Sequence, residues 1–107
     1  MDEVEFLHYL ADMALAPFRE AGRDLRIFVD WHDDDHVRIT ACVDGELALD
    51  GLVFASIEDQ TSRLCELLWR NRFGLLSRLR SCGANEQILA GFLGRVSYLG
   101  PELVPDL

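Results

Sequence analysis

Between residues 25 and 43 apolar and polar side chains alternate with a period of two. Leu25, Ile27, Val29 and Trp31 interleave with Arg26, Phe28, Asp30 and His32; Val37, Ile39, Ala41 and Val43 interleave with His36, Arg38, Thr40 and Cys42. Such alternation marks strands with one buried face. Folding the first run onto the second through a loop at Asp33-Asp34-Asp35 sets Trp31 opposite Val37, Val29 opposite Ile39, Ile27 opposite Ala41 and Leu25 opposite Val43. On the other face Asp30 meets Arg38, an opposite-charge cross-strand pair. A slip of one residue would send every apolar side chain to the wrong face, so this register is strongly specified.

Asp44-Gly45 opens a second hairpin turn. A three-residue loop over 44–46 keeps the phase, pairing Val43 with Leu47 and Ala41 with Leu49, then Ile39 with Gly51 and Val37 with Val53. The third strand then covers 47–54, with a bulge expected at Asp50-Gly51; the alternative is a short strand ending at Asp50. A two-residue Asp-Gly turn breaks the phase and is set aside on that ground.

The flanking segments carry helical spacing. Over 3–16, Phe6, Leu10 and Met13 recur at three- and four-residue intervals behind Asp2, Glu3 and Glu5, which suit the positive end of a helix dipole. Pro17 kinks or ends that helix, and Gly22 closes the segment. Ser56 with Asp59 three residues later reads as a helix start. A stripe of Ile57, Leu64, Leu68, Leu75 and Leu79 follows, as one kinked helix or two, with the break near Asn71–Gly74. Gly83 ends that element, and Asn85 caps a last helix over 86–97 that buries Ile88, Leu89, Phe92 and Val96. The predicted fold is α+β: an N-terminal helix, a three-stranded antiparallel meander and two C-terminal helices (α-β-β-β-α-α). One domain over 1–99 and a C-terminal tail over 100–107 complete the expectation. Phe28, Leu52 and Phe54 share the outer face of the sheet with the charged set, so the last helix or another chain is expected to cover them.

Charge changes this picture from fold to partners. Residues 24–59 hold ten acids against two arginines, whereas residues 60–107 hold six arginines against four acids, within a net charge of −9. All ten basic residues are arginine. A sequence pI near 4.6 opposes direct nucleic-acid binding, which needs a positive footprint. No apolar run approaches the ~20 residues of a membrane span, and no signal-peptide pattern is read. Cys42, Cys65 and Cys82 lack paired spacing, which fits a reducing cytoplasm better than a disulfide framework.

Candidate chemistry is sparse. His32 and His36 flank three aspartates, and two imidazoles with a carboxylate suit a divalent metal; with no third nitrogen or sulfur ligand fixed, a solvated acidic turn is the favoured reading, and no cofactor is expected. No Ser/His/Asp order, phosphate loop or reactive cysteine context is present, so a non-catalytic protein is expected. The helix–strand–strand–strand–helix order is that of double-stranded-RNA-binding domains, whose charge is of the opposite sign. It also opens the fold of type III secretion chaperones, which are small, acidic and often dimeric. Both are likenesses of topology alone.

Two functional expectations follow. In the first, an acidic sheet docks on a basic, nucleic-acid-binding surface of a partner protein. Carboxylates at alternate strand positions, ~6–7 Å apart, imitate a run of phosphates. Small acidic inhibitors, anti-CRISPR proteins included, work this way, and this chain is similar to them in size and charge. Asp33, Asp34, Asp35, Asp44, Glu46 and Asp50 form the expected contact set, with Phe28, Leu52 and Phe54 as apolar additions. In the second, a homodimeric secretion-type chaperone or adaptor holds an apolar client segment, and the acids serve solubility.

Overall fold

The alternating segments form a three-stranded antiparallel sheet in the order β1 (Leu25–Trp31), β2 (His36–Val43), β3 (Glu46–Phe54). The protein is described by a computed structural model covering residues 2–97. The β1–β2 register is the predicted one, from Leu25 opposite Val43 to Trp31 opposite Val37. Trp31, at the strand end, is nonetheless exposed.

The second hairpin differs from expectation at its turn. Val43 pairs with Glu46 and Cys42 with Leu47, so the connection is the two-residue Asp44-Gly45 turn and not a loop over 44–46. Asp44 and Gly45 both have positive φ, 52° and 82°, as the mirror-image turn that matches strand twist requires. The register nevertheless returns to the predicted one at Ala41–Leu49, Ile39–Gly51 and Val37–Val53, through an irregularity opposite Ala41/Cys42. Ala48 is the extra residue, a bulge that absorbs the phase error of the tight turn. Leu47, expected inside, consequently lies exposed.

Helices α1 (Glu3–Ala14), α2 (Ala16–Glu20), α3 (Ile57–Arg70), α4 (Arg72–Ser81) and α5 (Glu86–Ser97) complete the chain. The N-terminal helix ends near Pro17 as expected, α1 stopping at Ala14, and Pro17 occupies the first turn of a separate α2, where its missing N–H costs nothing. The face of α1 that is buried carries Leu7 and Ala11, continued by Leu15 and Phe18, and not Phe6, Leu10 and Met13; Met13 is exposed. Asn71 separates α3 from α4, and Gly83, at φ 83°, lies just beyond the end of α4. Ser56 stands at the start of α3 but makes no side-chain cap bond. Asn85 does cap α5, its Oδ1 accepting from the Ile88 N–H at 2.9 Å.

Leu7, Ala11, Leu64 and Leu68 belong to the same core as the inner sheet residues Val29, Val37, Ile39, Ala41 and Val53. Leu75, Leu79, Leu89 and Phe92 extend it through α4 and α5, while Ile57 stays outside it. Gly51 lets α3 lie close on β3: a Cβ there would stand 2.7 Å from a Leu67 methyl. The principal packing partners of α5 are α4, α2, α3 and α1, so it does not roof the outer face of the sheet. Phe28, Leu52 and Phe54 remain 52%, 48% and 44% exposed there. The expected burial of Val96 and the tail over 100–107 lie outside what is described.

Candidate functional site

The tip between β1 and β2 is ordered by its first aspartate. Asp33 Oδ1 accepts from the backbone N–H groups of Asp35 and His36, both at 2.8 Å, and lies 2.9 Å from His36 Nδ1. These hydrogen bonds, that from Asp35 first, hold the Asp33 carboxyl below its usual pKa. The His36 ring also lies 4.9 Å from that of Phe54. Asp34 and Asp35 are left pointing outward with no side-chain partner among the described residues. Among the described residues no group of three or more His, Cys, Asp or Glu is arranged to hold a metal ion, so His32 and His36 form no ligand set with the aspartates.

Other acids join this tip through the tertiary structure. The Ala55 N–H donates to the Asp35 carbonyl at 2.8 Å, which sets the start of α3 beside the tip. Gln60, fully buried, donates from Nε2 to the carbonyls of Glu3 at 2.9 Å and Ala55 at 3.0 Å, tying the N-terminus of α1 to the same end. Asp2, Glu3 and Glu5 thus share one pole of the molecule with Asp33–Asp35 and with Glu58 and Asp59. Among the described residues, none of these eight carboxylates is ion-paired with an arginine. The helical acids complement the dipoles of α1 and α3, and Asp2 caps α1; Asp34 and Asp35 serve neither purpose.

The remaining members of the expected contact set lie elsewhere and are engaged. Asp50 holds Arg38 in a two-bond pair, 2.9 and 2.6 Å, and accepts from Thr40 Oγ1 at 3.3 Å. Arg38 lies opposite Asp30 in the predicted register, but its guanidinium turns to Asp50 on β3. The Arg38 hydrogen bond is the main cause holding the Asp50 carboxyl below its usual pKa. Asp44 and Glu46 sit at the opposite end of the sheet, where Asp44 faces Arg23 at 3.6 Å and Glu46 faces Arg78 at 3.1 Å. The structure thus brings Asp33, Asp34 and Asp35 together and separates Asp44, Glu46 and Asp50 from them. Asp2, Glu3, Glu5, Glu58 and Asp59 join the tip without belonging to the expected contact set. Their first-turn positions were legible in the sequence, but the convergence of the two helix starts was not.

Beside the tip, a hollow of about 250 Å³ runs between β3 and α3, lined by His36, Leu52, Phe54, Arg63, Glu66, Leu67 and Arg70 among others. Arg63 lies 5.0 Å over the Phe54 ring, and Glu66 is shared between Arg63 at 3.5 Å and Arg70 at 2.5 Å. The three cysteines are free and half-buried, and burial pushes the Cys65 thiol pKa up, which makes it a poorer nucleophile. Among the described residues no helix is long and apolar enough to cross a membrane. Compared with protein-family models, curated proteins and solved structures, the chain matches none.

Proposed function

We propose that this chain is a non-catalytic protein-binding protein that docks its acidic pole on a basic surface of another protein. One observation carries the reading: three separate stretches, at the starts of α1 and α3 and at the β1–β2 tip, bring eight carboxylates to one end, and among the described residues no arginine is paired to them. Such a field steers a basic partner and makes association fast and salt-sensitive. A partner surface that otherwise takes nucleic acid fits best, since spaced carboxylates imitate phosphates; the chain then acts as an inhibitor of the anti-CRISPR kind. Capture from the source lysate on immobilised protein, with elution in salt steps, tests this against Asp34→Arg/Asp35→Arg protein. A nucleic-acid-handling protein released at moderate salt and not captured by the variant supports it. Equal capture by both proteins, or retention to high salt, refutes it.

A second reading rests on a different observation, the uncovered Phe28, Leu52 and Phe54 of the outer sheet face. There the chain is an adaptor or chaperone holding an apolar client segment, and binding is insensitive to salt but lost in Phe28→Ser/Leu52→Ser protein.

A further inference from the structure

Side chains cap each edge of the sheet only in part. In β1 the even-numbered residues bond to β2, as the His32 N–H to the His36 carbonyl at 2.9 Å and the Asp44 N–H to the Asp24 carbonyl at 2.8 Å show. Bonded pairs alternate in an antiparallel ladder, so the odd residues of β1 face outward. The protein caps two of their carbonyls: His8 Nε2 lies 3.2 Å from that of Ile27, and Arg19 donates to that of Leu25 at 3.3 Å. In β3 the parity is reversed, because the Ala55–Asp35 bond continues the odd series. Arg78 covers the outward Leu47 carbonyl at 3.1 Å. Beyond it the backbone N–H and C=O groups of Leu52 and Phe54 face outward with no cap among the described residues. Both side chains are half exposed, and neither carries the charge that ordinarily blunts a sheet edge.

We propose that this edge pairs with the β3 edge of a second copy, antiparallel about a two-fold axis at Val53. Leu52 of each copy then lies opposite Phe54 of the other, and each such pair exchanges two backbone hydrogen bonds. Charge complementarity selects a second copy as the occupant. Arg63 lies over Phe54 and Leu67 against Gly51, so this stretch of α3 runs beside the edge. One carboxylate, Glu66, serves both Arg63 and Arg70, which leaves a positive charge uncompensated, while Asp59 has no partner among the described residues. An antiparallel arrangement of two α3 helices sets Asp59 against Arg70 and Arg63 against Glu66, each twice. It also lays the acidic pole of each copy beside the arginine-bearing end of the other, so the like-charged poles stay apart. This pairing is independent of the acidic-pole reading and uses none of its residues except Asp59.

Sedimentation equilibrium across the micromolar range tests it, on the full chain and on two variants. Leu52→Pro removes an outward N–H and no bond to β2, a substitution that edge strands tolerate. Arg63→Glu reverses one charge of the cross-copy pair. The wild type is expected to dimerise, with Leu52→Pro raising the dissociation constant at least about tenfold at an unchanged circular dichroism spectrum. Arg63→Glu should weaken the dimer, and adding Glu66→Arg in the same chain should recover it. A wild type that stays monomeric throughout overturns the proposal. So does a dimer that survives Leu52→Pro, or one that the charge swap fails to restore.

Discussion

Deletion of Ala48 is the sharpest test of how the second hairpin is built. In the structure Val43 pairs with Glu46, Cys42 with Leu47 and Ala41 with Leu49, so Ala48 opposes nothing. Joining Leu47 to Leu49 leaves every pair in place and converts a bulged strand into a regular one. The lost contact is that of a half-buried methyl group packed on the core, at most about 0.8 kcal/mol. Against that stands relief from ordering one residue, about 1–2 kcal/mol. The net change should be between about zero and 2 kcal/mol in favour of the shortened chain. A continuous strand after a three-residue loop makes the opposite demand. Removing one residue there would turn Leu49 and Val53 outward and Asp50 inward, at about 1.5–3 kcal/mol for each apolar side chain and more for the buried charge. Urea denaturation gives the stability difference directly. A loss of about 4 kcal/mol or more, or an unfolded chain, would refute the bulge account.

Gly45→Ala should cost about 1–2 kcal/mol by urea denaturation, because φ is +82° and nothing lies within 4 Å of an added Cβ, so the penalty is conformational alone. Gln60→Met takes the side-chain donor from the part-buried Glu3 carbonyl and the buried Ala55 carbonyl and should destabilise by about 1–3 kcal/mol, seen as a lower thermal midpoint; an unchanged midpoint would show that Gln60 does not tie α1 to α3. Because Arg38 lowers the Asp50 pKa in the folded protein, the ion pair contributes fully above the usual carboxylate value of 3.8 and is lost as pH falls through the depressed one. Asp50→Asn protein should therefore lose less stability than wild type on acidification below that value, as read by urea midpoints along a pH series; parallel acid limbs would remove Asp50 from the account.

The β1–β2 hairpin was legible in the sequence residue by residue. Its apolar positions keep strict alternation, and only one register puts all of them on one face, so local pattern and burial give the same answer. The break between α3 and α4 was equally legible, as was the bond of Asn85 to the start of α5. The Asp-Gly turn was visible too, but it keeps phase with the strands only through the bulge at Ala48, where the structure has it in place of the one expected at Asp50-Gly51; two irregularities that cancel leave no trace in periodicity.

The sequence determined the order of elements, the faces of two strands and the acids in the first turns of α1 and α3. It did not choose the buried face of α1, because that helix is apolar nearly all round: Val4, Phe6, Leu7, Tyr9, Leu10, Ala11 and Met13 offer several stripes. Docking on β1 made the choice, with His8 at the Ile27 carbonyl and Gln60 at the Glu3 carbonyl fixing the rotation. Tertiary structure also chose Asp50 over Asp30 for Arg38, since the neighbouring strand offers the guanidinium a carboxylate it can bind with two bonds. It alone assembled the acidic pole, because residues more than fifty positions apart meet only when α1 and α3 lie with their N-termini at one end of the sheet. Spacing along a chain fixes which side chains share a face; which faces meet depends on packing between elements that have no sequence relation to one another.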